Sequence, residues 1–179
     1  MLSNEQLQQR ATDLVRFHAQ ADETNEWTFF VDEMYAEDCI YTCEYAGTML
    51  VESIGIEQIK ATHYGRDMAY GWELWTFPYQ GVFVGTHNRV ITHWMNRGPG
   101  VRPDGGFYET PGVSYLTFND EGKICRQLDM FDLAHQMKLC DDIEANGQLN
   151  PNLKANWVIP MKRKLIAQLQ QNLPAAEAD

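Results

Sequence analysis

The stretch Gly122-Lys123-Ile124-Cys125-Arg126-Gln127-Leu128-Asp129-Met130-Phe131-Asp132-Leu133 constrains the fold more than any other. It reads as a glycine turn, a β-strand and a helix start, in that order. A strand alternates its faces with period 2, so Cys125, Gln127, Asp129 and Phe131 share one face while Ile124, Leu128 and Met130 share the other. An ionised carboxylate on a buried face must find a cation, collect hydrogen bonds or keep its proton. What Asp129 faces is therefore the central question.

Upstream, Ser3 and Gln6 have capping-box spacing, and Leu7, Ala11, Leu14, Val15 and His18 recur at helical intervals, which predicts a first helix to about Ala21. A second begins near Thr24, with an apolar stripe of Trp27, Phe30, Val31 and Met34. An acidic turn leads into a strand on which Cys39, Tyr41, Cys43 and Tyr45 share a face, and after a break at Gly47 Ser53 is placed to cap a third helix carrying Ile56, Ile59 and His63. A long aromatic strand follows from Trp72 to Val84, bent at Pro78. Next comes a strand on which Arg89, Ile91, His93, Met95 and Arg97 share a face, a Gly- and Pro-rich hairpin loop, and a return strand from Phe107 to Phe118. Beyond Asp132 a short helix and a helical tail follow, and the final Pro-Ala-Ala-Glu-Ala-Asp reads as frayed. Three helices interleaved with a strand, then a four-stranded meander, make an α+β domain with helices on one face of a curved antiparallel sheet.

The chain has 179 residues, enough for one domain with a sizeable core. Its net charge of -11 argues against a nucleic-acid surface, which needs clustered Lys and Arg. The sequence lacks a run apolar enough to span a bilayer and a signal-peptide pattern, so it reads as cytoplasmic, with no membrane partner. Cys39, Cys43, Cys125 and Cys140 form no C-x-x-C pair and read as reduced thiols, and no His, Asp or Glu cluster has metal-ligand spacing. The five Trp, eight Tyr and eight Phe exceed what a small core needs and point to an aromatic pocket or an oligomer interface.

Several segments in this order resemble the SnoaL-like enzyme branch of the nuclear transport factor 2-like fold. They are Met34-Tyr35-Ala36-Glu37-Asp38-Cys39-Ile40-Tyr41, Gly55-Ile56-Glu57-Gln58-Ile59, the Arg89 to Arg97 strand, and Asn119-Asp120-Glu121-Gly122-Lys123-Ile124 leading to Asp129-Met130-Phe131-Asp132. The resemblance covers about Leu7 to Cys140 and implies a cone-like sheet wrapped over helices, with a deep pocket at one end. It divides the chain into a domain over 1–140 and a helical C-terminal extension over 141–179, expected to cover the pocket mouth or a neighbouring subunit of a dimer or trimer. The fold serves isomerases, dehydratases, cyclases, epoxide hydrolases and adaptors alike, so it does not settle function.

Compared with limonene epoxide hydrolase, the first-strand Y-x-N motif falls on Tyr41-Thr42-Cys43, so Cys43 replaces the asparagine, and the final-strand aspartate falls on Asp129. The Arg-x-Asp of that family falls on Arg89 and Ile91, or on Met95 and Arg97, and its carboxylate is missing either way. Ketosteroid isomerase departs further, its general base falling on Cys43 and its oxyanion-hole aspartate on Ser114.

The resulting candidates are Asp129 to move a proton, Tyr41 with Arg89 or Arg97 to stabilise negative charge, and His93 to assist. Trp27, Cys43, His63, Trp75, Met95, Ser114, Gln127 and Phe131 are candidate substrate contacts, with no metal and no cofactor. The alternative for Asp129 is a structural ion pair with Arg89 or Arg97. The expected activity is a cofactor-independent lyase, dehydratase or isomerase on an aromatic small molecule. General likeness to lyases that release formaldehyde from lignin-derived diaryl compounds gives its narrowest form; the alternatives are an epoxide hydrolase and a non-catalytic binding or assembly module.

Overall fold

A computed structural model describes residues 1–45, 49–68 and 71–171 of the chain. The break expected at Gly47 and the tail expected to fray lie outside these residues. Helix α1 (Asn4–Thr24) starts at the predicted capping box, with the Ser3 hydroxyl accepting from the Gln6 amide, and buries Leu7, Ala11, Leu14, His18 and Ala21. It runs one turn longer than expected, because the chain reverses only at Asn25, which adopts a left-handed φ of 60°. Helix α2 (Trp27–Met34) buries its four-residue stripe.

Strand β1 (Tyr35–Tyr45) follows without an intervening turn; the exposed Glu37 and Asp38 lie within it, where its pairing with β6 is irregular. After β2 (Met49–Ile54), α3 (Ile56–Ile59) passes directly into a π-helical stretch, Lys60–Asp67. Ser53 does not cap α3: it belongs to β2, its hydroxyl meets that of Thr62 at 2.8 Å, and Gly55 occupies the cap with a φ of 81°. The aromatic segment from Trp72 becomes a strand only at β3 (Tyr79–Val84); residues 72–77 are irregular apart from a bridge between Thr76 and Arg97. Strands β4 (Arg89–Val101), β5 (Phe107–Phe118) and β6 (Ile124–Phe131) complete the meander.

These strands form one six-stranded sheet, β2-β1-β6-β5-β4-β3, antiparallel except where β1 and β6 run parallel. Helix α4 (Leu133–Ala145) opens with the Asp132 carboxylate accepting from the His135 amide at 3.0 Å, and it continues across residue 140. A single turn α5 (Pro151–Leu153), a π-helical turn Lys154–Val158 and helix α6 (Ile159–Gln171) follow. No helix among the described residues is long and apolar enough to cross a membrane.

Three contacts fix where β6 lies. The Lys123 ammonium donates to the Asp32 and Glu33 carbonyls at the end of α2, where the helix dipole favours a cation. Arg10 of α1 donates to the Gly122 carbonyl at 2.6 Å. Beyond them β6 has an irregularity opposite Thr117 and Phe118, so Ile124 is buried while Cys125 turns off the inner face and meets the Thr117 carbonyl. Asp129 keeps the inward phase predicted for it.

Two glycines allow close approach. At Gly71, with a φ of 117°, an added Cβ would lie 2.7 Å from the Leu153 backbone nitrogen, so the C-terminal segment docks against bare backbone there. At Gly112 an added Cβ would fall 2.2 Å from the Trp94 indole. Gly112→Ala is expected to cost about 1–3 kcal/mol by overpacking, read as a lower Tm, with a changed Trp fluorescence as the Trp94 ring is displaced.

Candidate functional site

The concave sheet face, the first three helices and the C-terminal segment line a cavity of about 100 Å³ that opens to solvent at its mouth. Small-molecule sites are concave and largely apolar in this way. The walls are aromatic. Trp27 lies flat against Tyr64 at 6.0 Å between ring centres and meets Phe77 edge-on at 5.5 Å, and Trp72 meets Trp157 edge-on at 4.9 Å.

Asp129 projects from β6 into this cavity and is only 7% exposed. Three neighbouring strands supply its setting, because Asp129 pairs in register with Cys43 of β1 on one side and with Ser114 of β5 on the other. Tyr41 donates to Oδ2 at 3.2 Å and Gln127 donates to Oδ1 at 2.7 Å, while the Ser114 hydroxyl adds a third hydrogen bond. Among the described residues no cationic side chain pairs with the carboxylate. Burial raises its pKa to about 6, against the pull of those three donors.

Each donor is itself held. The Trp94 indole N–H donates to Ser114 Oγ at 2.8 Å, which leaves the hydroxyl hydrogen for Asp129. Gln127 accepts from the Tyr35 hydroxyl, and the Tyr35 and Tyr64 hydroxyls lie 2.9 Å apart. This sets the amide orientation, since its nitrogen must then face Asp129. The Tyr41 hydroxyl lies 3.0 Å from His63 Nε2, with the two rings stacked at 4.3 Å. Burial lowers the His63 pKa to about 4, so the imidazole is neutral at pH 7. An Nε2–H tautomer then donates to the tyrosine oxygen and leaves its hydrogen for Asp129.

The cavity thus brings together Asp129, Tyr41, Trp27, Cys43, His63, Ser114, Gln127 and Phe131. It excludes Arg89, His93, Met95 and Arg97. Their strand does alternate, but Val90, Thr92, Trp94 and Asn96 form its buried face. Thr92 stands opposite Ser114, so the row containing Asp129 puts the even-numbered residues of β4 inside and the odd-numbered ones outside. Arg97 instead pairs with Glu109 at 2.8 Å and covers the Phe107 ring. The ion pair of Asp129 with Arg89 or Arg97 is absent for the same reason. Trp75 is also not a cavity residue: it is buried against Trp72 and beside Gly98 and Ile143, in the core under α4.

Tyr35, Tyr64, Asn96 and Trp157 line the cavity without having been singled out from the sequence. Asn96 was legible in principle, because placing Ser114 inside fixes the phase of β4 once the hairpin register is known. Tyr64 was not, since its position next to His63 on one wall depends on a π-helical turn that no α-periodicity signals. Among the described residues no group of three or more His, Cys, Asp or Glu is arranged to hold a metal ion.

No family model matches the chain, and no curated protein matches it either. Solved structures do. A nuclear transport factor 2-like protein from Burkholderia pseudomallei superposes with a TM-score of 0.57 at 16% identity, over 73% of this chain and 96% of its own. A candidate isomerase of the SnoaL-like family from Agrobacterium tumefaciens gives 0.50 at 20% identity, over 69% and 98%. TerC, co-crystallised with polyporic acid, gives 0.56 at 14% identity, over 73% and 97%. At these identities the likeness is one of fold, and the chain has the nuclear transport factor 2-like fold that its sequence resembles.

The raised pKa of Asp129 makes stability depend on pH. Wild type is favoured while the carboxyl is protonated in both states; it loses that advantage as pH rises from the unfolded value of 3.8 through the folded value of about 6. Asp129→Asn cannot titrate. Its stability relative to wild type should therefore rise over this window, by on the order of 3 kcal/mol, and level off above it. Denaturant unfolding at a series of pH values measures the difference; a flat one would contradict the raised pKa.

Proposed function

We propose that this chain is a cofactor-independent acid–base catalyst of the lyase, dehydratase or isomerase type, acting on an aromatic small molecule held in the cavity. The observation that carries the reading is a buried carboxylate on an aromatic cavity wall with three hydrogen-bond donors and, among the described residues, no cation. A structural carboxylate at this depth is ordinarily neutralised by a cation; Asp129 is left close to the balance point between its two protonation states. As a carboxylate it accepts a proton from a substrate hydroxyl or activated carbon. As the acid it returns that proton to a leaving hydroxyl or a neighbouring carbon, so one residue serves both halves of an elimination or isomerisation.

Tyr41 supplies the complementary group. While Asp129 is ionised, the tyrosine hydrogen points at Oδ2; once Asp129 is protonated, that hydrogen is free to turn towards negative charge developing on the substrate. Neutral His63 keeps the tyrosine ring in place by stacking and by its ring nitrogen. Among the described lining residues Asp129 is the only carboxylate, which supports proton transfer on a bound molecule over hydrolysis by a pair of acids. The crystallisation of TerC with polyporic acid accords with a fold whose pocket accepts a small organic molecule.

In its narrowest form the reaction is loss of formaldehyde from a diaryl diol. Asp129 takes the hydroxymethyl O–H proton, the adjacent C–C bond breaks to release formaldehyde, and its electron pair forms a C=C bond to the neighbouring benzylic carbon. The hydroxyl on that carbon leaves as water, carrying the proton that Asp129 returns.

The test is to incubate the protein, without added metal or cofactor, with diaryl diols, epoxides, enones and hydroxy-ketones, and to follow products by mass spectrometry. Formaldehyde release identifies the lyase, a shifted double bond the isomerase and an added water the hydrolase. No conversion across the panel favours a binding module. For a converted substrate, Asp129→Asn should lower kcat by about 10²-fold or more. The wild-type kcat/KM should climb with pH to a plateau above about 6, the pKa at which the base becomes ionised.

A further inference from the structure

Asp129 is a buried carboxylate whose countercharge is missing. Tyr41, Gln127 and Ser114 give it hydrogen bonds, and among the described residues no cationic side chain pairs with it. The titratable groups that face it across the cavity are held neutral. Burial lowers the pKa of His18 on α1 to about 3 and that of His63, behind Tyr41, to about 4. It raises the phenols of Tyr35 on β1, Tyr64 beside His63 and Tyr79 on β3. Of these groups, Asp129 is the one that carries a charge at pH 8.

Much of the remaining wall is ring faces. Phe131 follows Asp129 on the inner face of β6, with the Trp94 ring centre 6.2 Å from its own. Across the cavity the His18 ring stacks on Tyr79 at 3.9 Å, and Trp27 meets it edge-on at 5.2 Å. The face of an aromatic ring attracts a cation within about 6 Å of its centre, more strongly where water is excluded. A desolvated carboxylate attracts the same charge over a longer range. The net charge of -11 favours the approach of a cation from solution.

We infer that the cavity is also a binding site for a small quaternary ammonium, its charge paired with the Asp129 carboxylate and its methyl groups set against the rings. The choice of cation follows from hydration. A primary ammonium is strongly hydrated and brings three N–H donors that each need an acceptor, whereas a quaternary ammonium has no N–H and presents methyl groups that suit ring faces. This goes beyond the acid–base reading and stands without it. Pairing with such a cation holds Asp129 ionised, so the same occupant withdraws the carboxyl from proton transfer.

Equilibrium binding tests the inference without turnover, so its failure is separable from failure of the proposed chemistry. The probes are phenyltrimethylammonium and tert-butylbenzene, which share a shape and differ by one charge, each titrated by quenching of Trp fluorescence. At pH 8 wild type should bind the cation about tenfold more tightly than the hydrocarbon. That preference should disappear at pH 5, below the Asp129 pKa of about 6, because the protonated carboxyl no longer offers a countercharge. Asp129→Asn should lack the preference at both pH values. The pH comparison uses wild type alone and decides the matter even where the variant does not fold. The inference is overturned if the cation does not bind at pH 8, if the hydrocarbon binds as tightly or more so, or if the preference persists at pH 5 or in Asp129→Asn.

Discussion

The arrangement depends on a carboxylate held in the protein interior by hydrogen bonds, with no cation beside it among the described residues. Asp129 collects donors from Tyr41, Gln127 and Ser114, and none of those three is loose. Trp94 occupies the far lone pair of the serine, the two tyrosines orient the glutamine amide, and His63 fixes the phenol. The outer ring of this network is aromatic, so the side chains that shape the cavity also set the proton affinity at its centre. Changing one of them alters both at once. The Gly112 backbone shows the coupling: it leaves room for the Trp94 indole, which in turn aims Ser114 at the acid.

That network holds the acid near the balance between its two protonation states. Desolvation favours the neutral form and three donors favour the charged one, and the two influences leave the group near pH 6 rather than far to either side. An arginine in the cavity would have fixed the carboxylate as an anion and made it a poor base. The outward phase of Arg89 and Arg97 keeps both guanidinium groups on the other side of the sheet and leaves the Asp129 pKa to burial and its three donors.

Much of this was legible in the sequence, for identifiable reasons. The short turn Asn119 to Gly122 and the alternation of β6 from Gln127 onward placed Gln127, Asp129 and Phe131 on one face, though not Cys125, and the β-rich run of β1 did the same for Tyr41 and Cys43. The phase of β4 was not legible, because the loop between Arg97 and Phe107 does not fix the parity of its hairpin. A one-residue slip moves every side chain to the opposite face, which sent Arg89, His93, Met95 and Arg97 into the expected site and kept Asn96 out of it. The π-helical turn after α3 hid Tyr64 by a different route, through a change of helical period.

The aromatic surplus follows from the same geometry. Packing requires apolar volume but not rings facing an open space, whereas Trp27, Trp72, Phe77, Trp94 and Trp157 all border the cavity. Trp157 arrives from outside the strand meander, carried by a segment that docks where Gly71 lets Leu153 approach the backbone. The C-terminal extension therefore contributes a wall of the cavity. Among the described lining residues Tyr41, Gln127, Ser114 and His63 gather around Asp129, and most of the remaining wall is rings. The acid and its donors thus make one polar end on a wall that is otherwise mostly apolar, the lining by which a concave site orients an organic molecule through a single polar group.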